Sequence, residues 1–361
     1  MMKISFPRLA HYHIPIKGFL QSLFPQADII LPPAFTKKTL ELGARHSPDF
    51  VCAPFKYNLG NFIEVLELGA NVLMQAGGGC RFGFYGTLQE KILRDLGYDF
   101  IFVKMVDDTG RPSLKALQRG IKELGGRSGY PRLIYELLLA LKKINLMDEA
   151  EFYAREHETY EIQKGELKKN LTRLYREVAE VRGFSGLRSL KRTFWQGMSD
   201  IPVENMNNAL RIGIIGELYD VMEPFANRYI EKELLRYGVS ITRPMNASRL
   251  LFQKKSYEPQ TVKSAMPYVK YHLGADGTFS VAKALEFAKK EYDGIIHIKP
   301  FGCTPEINAI PMLQRIGQDY KIPILYLTFD TLTSETGLKT RIEAFIDMLN
   351  MRKETKAKEQ A

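Results

Sequence analysis

Residues 71–83, Asn-Val-Leu-Met-Gln-Ala-Gly-Gly-Gly-Cys-Arg-Phe-Gly, determine the fold that this sequence predicts. The apolar first half predicts a short buried strand. The run Thr87-Leu88-Gln89-Glu90 then fits a capping box, in which Thr87 opens a helix and Glu90 reaches back to its start. Cys80 is therefore predicted on a glycine-rich loop between a strand and a helix. In an open α/β sheet, ligands bind outside the carboxyl ends of the strands, where glycines allow close backbone approach.

The other two cysteines have similar local settings. Cys52 follows the apolar pair at 50–51, and Cys303 follows the apolar run at 294–298. After Cys303, Thr304-Pro305 predicts the cap and the first residue of a helix. All three thiols are thus predicted at or just past the end of a strand, which makes one shared site the first hypothesis.

Strand and helix patterns alternate at both ends of the chain, whereas the middle is helical and dense in Glu, Lys and Arg. This alternation predicts an α/β protein with two doubly wound (Rossmann/flavodoxin-like) parallel-sheet domains and a helical insertion. We predict a first α/β domain over residues 1–110, a helical subdomain over 111–205, a second α/β domain over 206–350 and a frayed tail over 351–361.

The 361-residue composition is that of a globular protein with a formal net charge of +10. No apolar run is long enough to cross a bilayer, and the N-terminus predicts a strand rather than a signal peptide, so we expect a cytoplasmic protein without a membrane partner. The basic residues are spread out and mixed with acidic ones, which argues against nucleic acid as the partner. An acidic partner, such as a CoA ester or an electron-donor protein, suits the same charge.

Three cysteines are an odd number for a disulfide framework, and no export signal accompanies them. Structural zinc sites usually contain C-x-x-C pairs, and this chain has none. Three scattered thiolates instead suit a cofactor in a cleft between domains, such as a four-iron cluster with one iron left open. The alternative is that all three cysteines are buried as small apolar side chains.

Charged residues near the cysteine loops are further candidates. Lys56, Arg81 and Lys299 could lower thiol pKa values, compensate the charge of a cluster or bind a phosphate. His11 and His13 lie on the loop after the first strand, where they could transfer protons or orient a substrate. Histidines on a surface loop more often have no such role.

Other candidates have plain structural interpretations. Glu306 and Glu335 are candidate acid/base groups, but carboxylates at a helix N-terminus often only balance its dipole. His297 lies in an apolar strand and is predicted to be a hydrogen-bonded core histidine. The run 212–217 lacks the third glycine of a dinucleotide-binding loop, which favours a tight turn, and no P-loop motif is present. The sequence therefore assigns no catalytic residue.

Three separated cysteine motifs carry a family resemblance: Cys-Ala-Pro-Phe-Lys at 52–56, Gly-Gly-Gly-Cys-Arg-Phe-Gly-Phe-Tyr at 77–85 and Phe-Gly-Cys-Thr-Pro-Glu at 301–306. In this order they resemble the 2-hydroxyacyl-CoA dehydratase superfamily (2-hydroxyglutaryl-CoA dehydratase D-component-like). Within it they are most similar to the activase-related branch that includes the double-cubane cluster proteins. The segment at 333–345 is similar as well, so the resemblance spans both α/β halves.

The resemblance implies that Cys52, Cys80 and Cys303 each ligate an iron–sulfur cluster. The cluster would be of the 4Fe-4S type, or a double-cubane 8Fe-9S cluster shared in a dimer. It further implies electron transfer from a separate ATP-hydrolysing activator, a homodimer or heterodimer, and a small-molecule or CoA-ester substrate. The implied reaction is radical dehydration of a 2-hydroxyacyl-CoA or an ATP-dependent reduction. The alternative is a non-catalytic accessory protein that carries a cluster or binds a ligand.

Overall fold

The computed structural model describes residues 1–77, 80–110, 112–204, 209–248 and 254–360. Within this part of the chain, no helix is both long enough and apolar enough to span a bilayer.

The chain forms two compact units. The first, unit 1, contains residues 1–144 and 178–187, and the second, unit 2, contains residues 145–177 and 188–361. The predicted helical segment at 111–205 is therefore divided between the two units.

Unit 1 is built on a four-stranded sheet in which every strand pair is parallel. Its strands lie in the order β2-β1-β3-β4, and their bounds are Lys3–Ser5 (β1), Asp28–Ile29 (β2), Val72–Gln75 (β3) and Ile101–Lys104 (β4). The helices that begin in this unit are His13–Leu23 (α1), Lys37–His46 (α2), Ala53–Glu67 (α3), the 3₁₀ turn Arg81–Phe84, Tyr85–Asp95 (α4), Leu114–Glu123 (α5), Tyr130–His157 (α6) and Phe184–Ser199 (α8).

Unit 2 repeats this plan with a second parallel sheet. Its strands lie in the order β6-β5-β7-β8, with bounds Arg211–Gly216 (β5), Ser240–Thr242 (β6), Gly294–Pro300 (β7) and Ile324–Phe329 (β8). Its helices are Glu166–Glu180 (α7), which ends in unit 1, Leu218–Met222 (α9), Ile230–Arg236 (α10), Lys254–Ala265 (α11), Gly277–Lys289 (α12), Thr304–Asp319 (α13) and Glu335–Gln360 (α14). The predicted doubly wound α/β fold with two sheets is confirmed.

The central strand of each sheet is buried on both faces by helices. All four residues of β3 and all seven of β7 are buried, as expected for parallel strands with helices on both faces. Around β7, the core includes Ile295 and residues of α12 and α13, such as Leu285 and Leu313. Burial of this apolar surface is the main favourable contribution to the stability of each unit.

The strand predicted before Cys52 does not form. Residues 47–52 make a turn that leads directly from α2 to α3, and Phe50 is exposed rather than buried in a sheet. The two helices pack with their backbones in contact, because a Cβ atom on Gly43 would overlap the carbonyl oxygen of Lys56 and one on Gly60 would overlap that of Thr39. Cys52 therefore follows a helix–helix turn, not a strand end.

Two further local predictions differ from the structure. Helix α4 begins at Tyr85, directly after the 3₁₀ turn, so Thr87 lies inside the helix and does not cap it. The tail predicted to fray continues α14 as far as Gln360. Its Lys, Glu and Ala residues favour helix, and Arg352 donates a hydrogen bond to the carbonyl oxygen of Lys321.

Candidate functional site

In unit 1, two of the three thiols occupy the N-cap positions of helices. Cys52 precedes α3, whose first turn contains Pro54, and its side chain accepts no capping hydrogen bond; Cys80 precedes the 3₁₀ turn Arg81–Phe84 and accepts one from Phe82. The N–H groups at the start of a helix point outward and carry partial positive charge, which favours the thiolate form of a cysteine. Both thiols thus have a local environment that suits a metal ligand.

Tyr85 connects these two cysteines. Its hydroxyl lies 2.8 Å from Sγ of Cys52, and the backbone N–H of Phe82 donates to Sγ of Cys80 over 3.4 Å. The Tyr85 ring is held edge-on against Phe55, with 4.9 Å between ring centroids. Burial raises the pKa of Tyr85, and the neighbouring Cys52 and Cys80 raise it further, so its hydroxyl stays protonated and can donate to sulfur. Unit 1 therefore brings Cys52 and Cys80 together around one phenol.

The glycines of the Cys80 loop serve backbone packing. Added Cβ atoms on Gly77 and Gly83 would each overlap the carbonyl oxygen of Gly110, so the loop lies directly against the turn at 107–110. Gly78 and Gly79, for which the sequence predicted close approach to a ligand, lie outside the described residues.

In unit 2, Cys303 is the N-cap of α13, just past β7. The preceding Gly302 has a φ of 77°, a left-handed conformation that only glycine adopts without strain, and this turn directs the chain from the strand into the helix. Thr304 and Pro305, predicted as cap and first residue, are instead the first two residues of the helix. The strand predicted before Cys303 is confirmed.

A buried lysine faces this cysteine. Lys299, at the end of β7, is only 7% exposed. Burial lowers its pKa, while Cys303, Glu306 and Asp220 act in the opposite direction. The structure thus brings Lys299, Cys303 and Glu306 together at the carboxyl end of β7, as the sequence predicted for Lys299.

His297 and Glu306 form a buried pair behind Cys303. The ring Nε2 donates to the Glu306 carboxylate over 2.7 Å, and the hydroxyl of Ser280 donates to the same carboxylate over 3.1 Å. Both side chains are at most 1% exposed. The His297 Nδ1 atom has no hydrogen-bond partner within the described part of the chain, so the core histidine that the sequence predicted is only half satisfied. The Glu306 carboxylate is therefore buried and hydrogen-bonded, and its role goes beyond balancing the dipole of α13.

Two acidic residues after β5 were missed by the sequence analysis. Asp220 is fully buried, and neither of its carboxylate oxygens has a hydrogen-bond partner among the described residues. Burial raises its pKa to about 8, against the opposing charges of Arg228 and Lys299. Burial and the adjacent Asp220 raise the pKa of Glu217 well above its ordinary value. The sequence did contain one indication of this pair, namely two acidic residues three positions apart just past the end of a predicted strand.

The candidate cysteines lie at corresponding positions in the two sheets. In each sheet the strand order reverses between the first and third strands of its unit, which is where ligands bind in doubly wound folds. Cys80 follows the third strand of unit 1, and Cys303 follows the third strand of unit 2. Cys52 is at the N-cap position of the helix that leads into β3. Each unit therefore presents its candidate ligands at the same edge of its own sheet.

The remaining candidates lie at varied positions. Arg81 is exposed and Lys56 partly buried, and the charge of Arg81 acts on Tyr85. His11 is exposed, whereas the Nδ1 atom of His13 lies 3.0 Å from the carbonyl oxygen of Ala10. Glu335 is exposed in the first turn of α14. Among the residues that the structure describes, no group of three or more His, Cys, Asp or Glu side chains is arranged to hold a metal ion.

A protein-family model described as 2-hydroxyglutaryl-CoA dehydratase, D-component, matches residues 279–349. The matched segment includes β7, Cys303, Glu306 and β8. The match supports the resemblance to the 2-hydroxyacyl-CoA dehydratase superfamily over this segment, which contains the Cys303 motif. The Cys52 and Cys80 motifs lie outside the matched residues. A search of curated proteins finds no match.

Proposed function

We propose that this chain is the substrate-reducing component of an ATP-dependent system of the 2-hydroxyacyl-CoA dehydratase type. In this proposal Cys52, Cys80 and Cys303 hold an iron–sulfur cluster, either 4Fe-4S or a double-cubane 8Fe-9S cluster shared in a homodimer or heterodimer. A separate ATP-hydrolysing activator provides low-potential electrons, and a CoA ester or another small molecule is reduced. The family match over residues 279–349 supports the dehydratase part of the proposal.

One observation carries the cluster assignment: every cysteine of the chain is at the N-cap position of an α-helix or, for Cys80, of a 3₁₀ turn. Each thiol also has a donor or a cation beside it, namely the Tyr85 hydroxyl, the Phe82 N–H or Lys299. Cysteines buried as small apolar side chains need no such surroundings, whereas thiolate ligands are stabilised by them. The donor set therefore fits a thiolate-bound iron–sulfur group.

When bound, the cluster supplies one-electron reduction at an iron that no protein thiolate occupies. The chain's own residues supply charge and protons. Lys299 places a positive charge beside Cys303, which favours negative charge on that thiolate. Asp220, whose pKa is raised to about 8, holds a proton at neutral pH next to Lys299. We propose these two residues as the proton-holding and charge-balancing groups of the site.

The test is the iron and acid-labile sulfide content of protein purified without oxygen. We expect about four irons per chain in the unmodified protein, since three thiolates suit one cubane. Cys52→Ala, Cys80→Ala and Cys303→Ala should each lose most of this iron. Thr36→Ala is the control, because it removes the side-chain cap of α2 without touching a thiol and should retain the iron.

Unchanged iron in all three cysteine variants would contradict the ligand assignment. Zinc alone, or no metal after anaerobic reconstitution, would contradict the cluster itself. Turnover of a 2-hydroxyacyl-CoA with an activator, ATP and a reductant then tests the reductive role. A chain that retains iron but shows no turnover is the accessory protein of the alternative hypothesis.

A further inference from the structure

Unit 1 contains a cavity of about 790 Å³ that none of the cysteine motifs line. Its walls come from α1, the first half of α6, the end of α7 and the turn at 181–183 that follows it. Pockets of about 300–1,000 Å³ accommodate small organic molecules, so this volume exceeds what an inorganic ion alone needs. The cavity is large enough for a ligand of nucleotide size.

Positive charge dominates the cavity wall. Two carboxylates, Glu136 and Glu180, stand against five cationic side chains: Lys17, Arg127, Arg132, Lys143 and Arg182. Glu136 is neutralised by an ion pair with Arg132 at 2.7 Å. Burial lowers the pKa of His13, also in the wall, to about 4, so this histidine is neutral at pH 7. The net excess of positive charge predicts an anionic ligand.

Lys143 is the most deeply buried of the five cations in the cavity wall. Its side chain is buried, with the residue only 5% exposed, and its Nζ donates to the carbonyl oxygen of Val181 over 2.8 Å. An ammonium group has three N–H donors, and within the described residues this carbonyl is the only hydrogen-bond acceptor at Nζ. Burial lowers the pKa of Lys143, while the carboxylates of Glu136 and Glu180 act in the opposite direction, so their charges compensate the buried ammonium only in part. Nζ also lies close to α1, 3.8 Å from where a Cβ atom on Gly18 would stand.

The rest of the wall suits an organic group. Tyr135 is 41% exposed, with its ring held edge-on by Phe184, and Leu139, Leu31 and Pro25 line the cavity beside it. An aromatic face next to several cations is the arrangement that binds a planar or acyl group joined to phosphates.

We propose that this cavity binds an organic polyphosphate, with its phosphates on Lys17, Arg127, Lys143 and Arg182 and its organic part against Tyr135. Two sources share this chemistry, a nucleotide and a CoA-type thiol. The proposal does not depend on the iron–sulfur assignment, because the cavity lies wholly within unit 1 and contains no cysteine.

The test is calorimetric titration of the full chain with three probes: inorganic diphosphate, ADP and CoA. We expect at least one of them to bind, and the Lys17→Gln/Arg127→Gln variant to bind it roughly tenfold more weakly, because two charge-assisted contacts are lost. Both residues are exposed, so the variant should fold normally. The control is Lys115→Gln/Arg119→Gln, an exposed pair on α5 outside the cavity, which should leave affinity unchanged.

A second variant changes the charge in the opposite direction. Glu136→Gln removes the carboxylate and releases Arg132, so affinity should rise, which a general loss of structure would not produce. If CoA binds and ADP does not, the ligand of the cavity is a CoA-type thiol. If ADP binds, the ligand is a nucleotide. The proposal is overturned if no probe binds, if the two double variants weaken binding equally, or if Glu136→Gln lowers the affinity.

Discussion

The Asp220 side chain lies in an environment that conflicts with its charged form. Its carboxyl group is fully buried and has no hydrogen-bond partner among the residues that the structure describes, so burial disfavours the charged form and raises the pKa from 3.8 to about 8. Between these two pH values the folded chain holds a proton that the unfolded chain releases. The free energy of unfolding therefore falls as the pH increases through this window.

Asp220→Asn should flatten that pH dependence. Asparagine has nearly the same shape and does not titrate, so the variant should lose less stability than the unmodified protein between about pH 5 and pH 8. Urea unfolding of the reduced chain at several pH values measures the difference. Asp200→Asn, at an exposed aspartate of the same unit, is the matched control. Parallel stability curves for all three proteins would show that Asp220 is ionised throughout.

At the scale of elements, the contact between α2 and α3 positions Cys52. Gly60→Ala would place a methyl group on the carbonyl oxygen of Thr39, which cannot rotate away as a side chain can. Alanine favours helix over glycine by about 1 kcal/mol, whereas overpacking costs about 1–3 kcal/mol. We expect a net destabilisation, measured by urea unfolding.

Gly129→Ala is the control for this prediction. An added Cβ atom at Gly129 has no atom within 4 Å, so its effect on stability should stay within about 0.5 kcal/mol. If Gly60→Ala were as stable as Gly129→Ala, the two helices would have to be separable at little cost, and the position of Cys52 would need another explanation.

The strands of the two sheets were largely predictable, because runs such as 294–298 are apolar along their whole length. The prediction of a strand before Cys52 was wrong. Two apolar residues in a row do not reveal that Phe50 is exposed to solvent or that α2 packs directly on α3. The prediction of Thr87 as a cap was wrong for a similar reason: the helix begins at Tyr85, directly after the 3₁₀ turn, and its N-cap is Phe84, three residues earlier. Local patterns identify elements, and tertiary packing decides where they begin.

The candidate site was predictable only in part. The three cysteines and Lys299 were visible in the sequence, because their residue types carry the chemistry by themselves. The burial of Asp220 depends on the surrounding tertiary packing. The pairing of His297 with Glu306 depends on the turn that folds α13 back onto β7. The cavity around Lys143 depends on residues from three separate stretches of chain, which no local pattern joins.

At the scale of the whole molecule, the division between the units falls inside helices. The chain passes between units at 144/145, 177/178 and 187/188, which lie within α6, α7 and α8. Helices form and melt cooperatively, so one unit cannot unfold without disturbing helices that the other unit contains. We therefore expect the two units to unfold in a single transition.

Trp195 allows a direct test, because it is the only tryptophan of the chain and lies in unit 2, edge-on against Tyr153. Gly60→Ala, which destabilises unit 1, should shift the urea midpoint of Trp195 fluorescence as far as it shifts the circular-dichroism midpoint, since coincident transitions are the mark of two-state unfolding. Gly129→Ala should shift neither. A Trp195 transition that stays in place while the circular-dichroism transition splits would mean that the shared helices break at the division. Unit 2, with Cys303 and Lys299, would then be stable without an intact unit 1.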